Sequence, residues 1–206
     1  RILKDSGPNQ IHGAMVGCVR AEGRWPDKGA LEFKRSCDRV RLNVPGKFDS
    51  LTMLAWLRID GFDRQFNSLL LCDEFSDGHA HWQVKANGMI DLGVKPRGGK
   101  RVIYLSEPVL GQADLGRWLQ LAVVYDVRKA MVSHYLDGRT VGSMPLIRCD
   151  HQLQLGPCEI GNWSPVDQPP SAPIRNFNGR MDEFAIFKEA LGDEEILALY
   201  ELGRPS

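Results

Sequence analysis

Apolar and polar positions alternate with a period of two along much of the chain, the spacing of strands with one buried and one wetted face. Gly29 to Phe33 (GALEF) and Asp38 to Val44 (DRVRLNV) place Ala30, Leu31 and Phe33, then Val40, Leu42 and Val44, in such a pattern. Pro45-Gly46 ends the second run. Leu51 to Ile59 (LTMLAWLRI) is almost continuously apolar, as expected of a central strand covered on both faces. Ser68 to Cys72 and His81 to Ala86 predict further strands. Asn87-Gly88 then signals a two-residue hairpin from which Met89 to Val94 returns. Trp118 to Asp126 and Met131 to Leu136 form the next pair, followed by a second hairpin turn at Asp137-Gly138. Asp5 to Gly13 (DSGPNQIHG) is turn-rich. The longest irregular stretch, Asn162 to Asn178, is rich in proline and reads either as an ordered functional loop or as a mobile one.

The most informative phrase closes the chain, from Gly179 to Gly203. Arg180 to Phe187 predicts a strand entered from a glycine. Period-two parity sets Asp182, Phe184 and Ile186 on one face, with Met181, Glu183, Ala185 and Phe187 on the other. An acid sharing a face with two large apolar residues needs a partner, because a lone buried carboxylate is costly. From Gly192 the period becomes helical, and Ile196, Leu199, Tyr200 and Gly203 form one apolar stripe. Asp193, Glu194 and Glu195 suit the positive end of that helix, and Gly203 followed by Pro205 ends it.

These phrases resemble laminin-G-like (concanavalin A-like) jelly-roll domains. Such domains close with a strand of the form G-x-hydrophobic-D-E and an acid-capped helix, although Gly192 stands where they usually carry Ser or Thr. Gly29, Ala30, Leu31 and Phe33 resemble the family's G-x-A-L-x-F phrase with one residue fewer, and Trp56 takes its aromatic position in the long apolar strand. Trp118, Ala122 and Asp126 match W-x-h-v-A-v-x-y-D, while Tyr135, Asp137 and Gly138 match l-Y-v-D-G. Glu159 to Gly161 fits a short strand, so the likeness runs from about residue 5 to residue 203. The resemblance implies an all-β fold: one domain over residues 1–206, built as a two-sheet antiparallel jelly-roll sandwich with one short C-terminal helix.

Size and charge narrow the function. At 206 residues the chain can bury a core without metals or crosslinks. Lys plus Arg and Asp plus Glu are both 26, so no net charge draws it to nucleic acid or an anionic membrane. No apolar run is long enough to insert into a bilayer. The chain begins at Arg1 with no signal peptide, and the expectation is a piece of a larger polypeptide. Five cysteines, Cys18, Cys37, Cys72, Cys149 and Cys158, leave at least one unpaired within the chain. Cys18 with Cys37, or Cys149 with Cys158, are candidate bridges; the preferred reading makes all five small buried apolar residues.

Related jelly rolls hydrolyse β-glucans with two carboxylates about 5 to 5.5 Å apart, which an E-x-D-x-E strand supplies. Asp182 and Glu183 are adjacent, so they point to opposite faces, and their flanks Arg180 and Phe184 are not acids. A catalytic pair is missing where it belongs, and the chain reads as non-catalytic. The resemblance also implies a structural calcium ion held by Asp5 and Asp182 with carbonyls of the Gly7 to Asn9 turn. The preferred alternative has Asp182 accept backbone hydrogen bonds instead. His79, His81 and Cys72 fall short of a closed zinc site. Saccharide recognition uses aromatic faces and planar polar groups. The candidates are Trp25, Trp163, His79, His81, Arg97 and Arg175, with Trp82 assigned to the core and Trp163 alternatively an anchor for the proline-rich loop. Lys95 to Arg101 (KPRGGKR) reads as a solvated hairpin tip, and neither a phosphate loop nor a G-x-S-x-G elbow occurs. The resemblance implies a lectin-like module outside the cytoplasm, periplasmic, cell-surface or secreted, that binds a cell-surface glycan. The alternatives are a protein-interaction module of a membrane-anchored sensor or anti-sigma-factor regulator, and a degenerate glycoside hydrolase.

Overall fold

A computed structural model describes residues 1–164 and 172–205. In chain order the strands are β1 (Ile2–Leu3), β2 (Gly13–Val16), β3 (Val19–Glu22), β4 (Gly29–Phe33) and β5 (Arg39–Val44), then β6 (Leu51–Ile59), β7 (Phe66–Cys72), β8 (Ala80–Lys85), β9 (Met89–Val94) and β10 (Val102–Pro108). They continue with β11 (Trp118–Asp126), β12 (Met131–Leu136), β13 (Arg139–Pro145), β14 (Gly156–Ile160) and β15 (Gly179–Phe187), and helix α1 (Asp193–Gly203) closes the series. Two antiparallel sheets face each other as a jelly-roll sandwich. The eight-stranded sheet runs β1-β2-β5-β14-β7-β8-β9-β10 and the seven-stranded sheet β13-β12-β11-β6-β15-β4-β3.

The unbroken apolar character of β6 follows from its place. Met53, Ala55, Leu57 and Ile59 face the core between the sheets, while Leu54 and Trp56 turn outward beneath α1. Ala122 and Val124 of β11 share that second cluster with Ile196, and Tyr200 stacks on Trp56 at 5.6 Å, so the stripe read from the helical period is the docking face. No helix among the described residues is long and apolar enough to cross a membrane.

Several expectations need correction. β15 pairs Met181 with Leu57 but Phe184 with Ala55, one residue out of step, so Asp182 and Glu183 form a bulge. Met181, Phe184 and Ile186 therefore all pack on the inter-sheet core, and Asp182 is not on their face. Asp182 and Glu183 instead share one partner: Arg24 lies 3.5 Å from the first and 2.9 Å from the second. Asp137-Gly138 is the two-residue turn expected, with φ of 51° and 75°. The other hairpin has three loop residues, Ala86 to Gly88, and Gly88 at φ 81° fits because any Cβ there would strike the Leu110 carbonyl. The cysteines are all free; Cys18, Cys72 and Cys158 are buried, but Cys37 and Cys149 are exposed rather than internal. Strands β1, β3 and β10 carry too few alternating apolar residues to stand out by pattern. Of the proline-rich segment, residues 165–171 lie outside the described residues.

Candidate functional site

Alternation along β8 and β9 sends Trp82, Val84, Ile90 and Leu92 into the core and leaves His81, Gln83, Asp91 and Gly93 on the outer face of the eight-stranded sheet. A bulge in β7 pairs Ser68 with Gln83 and Leu70 with Trp82, which turns Ser68 outward as well. Register thus lays Ser68, Gln83 and Asp91 in one row, beside a second row of Leu71, His81 and Gly93.

This outer face is covered. His81, Gln83 and Asp91 are 3%, 0% and 1% exposed. A ladder of rings held between two guanidinium groups crosses it. The Arg101 guanidinium carbon lies 5.2 Å from the Phe75 ring centre, and that ring 4.4 Å from His81. His81 stands 5.7 Å from Trp163, whose indole lies 4.6 Å from the Arg175 guanidinium carbon. Arg175 also covers Phe66 at 4.9 Å. Each such cation–ring contact is worth about 0.5–2 kcal/mol, more as water is excluded.

The ladder is anchored through one carbonyl. Trp163 Nε1 donates to the Cys72 carbonyl at 3.0 Å, and His81 Nε2 lies 3.1 Å from the same oxygen. Trp163 N donates to Asn162 Oδ1, and Asn162 Nδ2 donates to the Ser36 carbonyl, which fixes the approach of the indole. Arg175 is placed by its backbone, whose carbonyl accepts from Ser68 N at 2.9 Å. Beside the ladder, buried Glu159 is held by Arg39 at 3.1 Å, by Arg41 at 3.0 Å and by the Ser164 amide at 2.9 Å.

Burial sets the electrostatics. It depresses the His81 pKa to about 3, helped by the charges of Arg175 and Arg101, so the ring is neutral at ordinary pH. Burial raises the Asp91 carboxyl, against a hydrogen bond from Gln83 Nε2 at 3.2 Å. Burial, then Arg101, lowers Arg175. Among the described residues, four buried atoms on this face, Ser68 Oγ, Gln83 Oε1, Asp91 Oδ1 and Arg175 Nε, have no hydrogen-bond partner.

His81, Trp163 and Arg175, three of the six residues expected to bind saccharide, therefore meet on one face. The other three stand apart. His79 ends the β7–β8 turn with Nδ1 2.9 Å from the Glu74 carbonyl. Arg97 is exposed at the β9–β10 tip, its carbonyl accepting from Arg148. Trp25 lies under the Arg24 guanidinium at 4.0 Å, beside α1 on the seven-stranded sheet. Trp82 is core, as expected. The Cys72 thiol points inward while His81 points outward, so the zinc trio does not converge. Asp5 accepts from the Gly7 and Ile11 amides, and Asp182 from the Arg24 amide at 3.0 Å. Among the described residues no group of three or more His, Cys, Asp or Glu side chains is placed to share a metal ion.

Arg101, Phe75, Phe66, Gln83 and Asp91 are additions that the sequence reading missed. Gln83 and Asp91 sit at outward positions of alternating strands, where polar residues look merely solvated. Arg101 belongs to the basic hairpin run but folds back over Gly93, whose missing side chain leaves it room. A second depression of about 210 Å³ beside α1 is lined by Asp126, Lys129, Ser133, Tyr135, Ser143 and Asp193 among others. Its polar groups already pair with one another, Tyr135 with Asp193 at 2.6 Å and Ser133 with Ser143 at 3.0 Å.

The family described as the concanavalin A-like lectin/glucanases superfamily matches residues 37–197. No curated protein matches the chain in sequence. Among solved structures, the receptor binding domain of botulinum neurotoxin C/D mosaic serotype superposes with a TM-score of 0.73 at 12% identity, over 97% of this chain and 48% of the other. The binding domain of Paraclostridial Mosquitocidal Protein 1 gives 0.73 at 15% identity, over 96% and 48%. A heptameric SAP-like pentraxin from Limulus polyphemus gives 0.55 at 16%, over 80% and 76%. The chain spans about half the length of the toxin domains, and at these identities the likeness is one of fold.

Proposed function

Because the chain belongs to the concanavalin A-like lectin/glucanase superfamily, we propose that it is a non-catalytic module that binds a carbohydrate on the outer face of the eight-stranded sheet. Trp163 and Phe75 supply ring faces and Arg101 and Arg175 supply planar donors beside them, with Gln83 and Asp91 buried beneath as support. The observation that carries this reading is the ladder of planar groups whose outer members stay reachable: Phe75, Trp163 and Arg175 are half-buried and Arg101 is exposed. Such rings stack on the apolar face of a sugar while neighbouring guanidinium groups donate to its hydroxyls.

Two further points support binding over hydrolysis. Paired-carboxylate hydrolysis needs two acids across the bond. Asp182 and Glu183 are both held by Arg24 on the other sheet, and Asp91 is buried beneath the ladder with Gln83 as its partner. The matched toxin domains are named as receptor-binding or binding domains, which agrees with a cell-surface glycan as ligand. Such a ligand places the module outside the cytoplasm, at an envelope or in a secreted protein, as part of a larger chain.

The test is a glycan array followed by titration of any hit with wild type, Trp163→Ala and Arg175→Ala, each shown folded by thermal unfolding. Loss of about 1.4 kcal/mol in either variant is a tenfold weaker complex, and at least that is expected. Binding that survives both substitutions would move the site elsewhere. No binding to any glycan would favour the protein-interaction module. Repeating thermal unfolding in calcium and in EDTA, with Asp182→Ala as control, tests the calcium ion proposed for Asp5 and Asp182; a midpoint indifferent to both removes it.

A further inference from the structure

Beneath the ladder, the eight-stranded sheet sets two buried cysteines face to face. Cys72 of β7 pairs with Cys158 of β14. The hydrogen-bond phase of this ladder is fixed by its ends: Asp73 N donates to the Pro157 carbonyl at 2.9 Å, and Gly161 N to the Leu69 carbonyl at 3.1 Å. Antiparallel pairs alternate between bonded and non-bonded types. The Asp73/Pro157 and Gly161/Leu69 pairs are the bonded type, so Cys72/Cys158 is the non-bonded type. There Cα atoms lie only about 4.5 Å apart and side chains come closest. That separation falls inside the range of about 4.4–6.8 Å that a disulfide spans. Both side chains point into the core and are 0% exposed. Both are free thiols, Cys72 Sγ donating to the Ala80 carbonyl at 3.1 Å. The pairings expected from sequence each join a buried cysteine to an exposed one instead.

We propose that Cys72 and Cys158 form a dithiol/disulfide couple that exchanges with small-molecule disulfides. One cysteine thiolate attacks the small disulfide, forms a mixed disulfide and expels one small thiol. The second cysteine, as thiolate, attacks the protein sulfur of that mixed bond and expels the other small thiol. The protein loses two electrons and two protons, and the small disulfide is reduced to two thiols. Burial pushes the Cys72 thiol up to about 12 and raises Cys158 too, so exchange waits on opening of the β7–β14 pairing. The bridge touches the ladder directly, because the Cys72 carbonyl anchors both Trp163 and His81.

The experiment uses Cys37→Ser/Cys149→Ser, which removes the exposed thiols and leaves Cys18, Cys72 and Cys158. The protein is equilibrated with stepped ratios of reduced to oxidised glutathione, with and without mild urea to permit opening, then denatured and alkylated for intact mass and peptide mapping. The expected result is three alkylated thiols at reducing ratios, and one at oxidising ratios with Cys72 and Cys158 in a single linked peptide. The oxidised form should also melt higher than the reduced one. Three free thiols at every ratio, with urea present, would overturn the proposal, as would a bridge to Cys18.

Discussion

Of three buried histidines, His81 and His134 lie on different layers of this sandwich and carry the larger shifts, so acid should find both. His134 of β12 faces the core, 0% exposed, with Nε2 3.1 Å from the Tyr104 carbonyl and Nδ1 without a partner among the described residues. Burial depresses its pKa from 6.5 to about 4, and that of His81 to about 3. In the unfolded chain both titrate near 6.5, so between that value and the folded pKa the unfolded state binds more protons. Stability is therefore full above about pH 6.5 and falls as pH drops. At about 1.4 kcal/mol for each tenfold change in proton affinity, His134 costs about 3 kcal/mol by pH 4 and His81 about 5 kcal/mol by pH 3. Together these rival the whole stability of a typical domain, about 5–15 kcal/mol. Asp91, raised by burial, works in the opposite direction and softens the fall. The assay is urea unfolding at steps from pH 7.5 to pH 4.5, for wild type and His134→Gln, which keeps a donor for the Tyr104 carbonyl but does not titrate. Around pH 5 the wild-type slope should exceed that of the variant by about 1.4 kcal/mol per pH unit. Parallel curves, or a wild type equally stable at pH 7.5 and pH 5, would refute burial of neutral His134.

Two further substitutions probe the buried charges. Arg24→Ala strands Asp182 beneath α1 and removes the Arg24 Nε donor to the Gly203 carbonyl at 2.7 Å. It should cost about 3–5 kcal/mol in urea unfolding and speed amide exchange throughout α1, and a loss under about 1 kcal/mol would deny the pair its role. Asp91→Asn keeps an acceptor for Gln83 but removes a carboxyl whose raised pKa makes the charged form a burden at neutral pH. Its stability penalty is absent below the unfolded pKa and grows as pH rises through the folded one, so the variant should melt higher at pH 7.5 and gain progressively less toward pH 4.5.

Much of the fold is legible because its signals are local. The apolar run of β6, the Asp137-Gly138 turn and the helical stripe at Ile196, Leu199, Tyr200 and Gly203 each need only a few residues to be recognised. β15 shows where such reading fails. Parity presumes an unbroken pleat, and one extra residue at Asp182-Glu183 moves Phe184 and Ile186 onto the face of Met181. Asp182 does need a partner, as a carboxylate near apolar residues should, but Arg24 comes from 158 residues away. The candidate site is legible only in its aromatic and basic members. Trp163 and Arg175 draw notice by type, and His81 by its neighbour His79. Gln83, Asp91 and Ser68 come together beneath the ladder through register across three strands, and Cys72 meets Cys158 for the same reason. Register between distant strands leaves no mark on either strand alone.

The docking of α1 has a bearing on how the chain is made. Leu54, Trp56, Ala122 and Val124 are synthesised long before the element that covers them, and α1 follows every strand of both sheets. Until Ile196 and Tyr200 leave the ribosome, that apolar strip faces water on an otherwise complete sandwich. The Arg24 contact with Gly203 then joins an early loop to the last turn of the helix, latching the sandwich only when synthesis of this region is finished. Nascent chains that stop after Phe187 would carry both sheets and an open strip, a natural target for holdase chaperones and for proteolytic clearance.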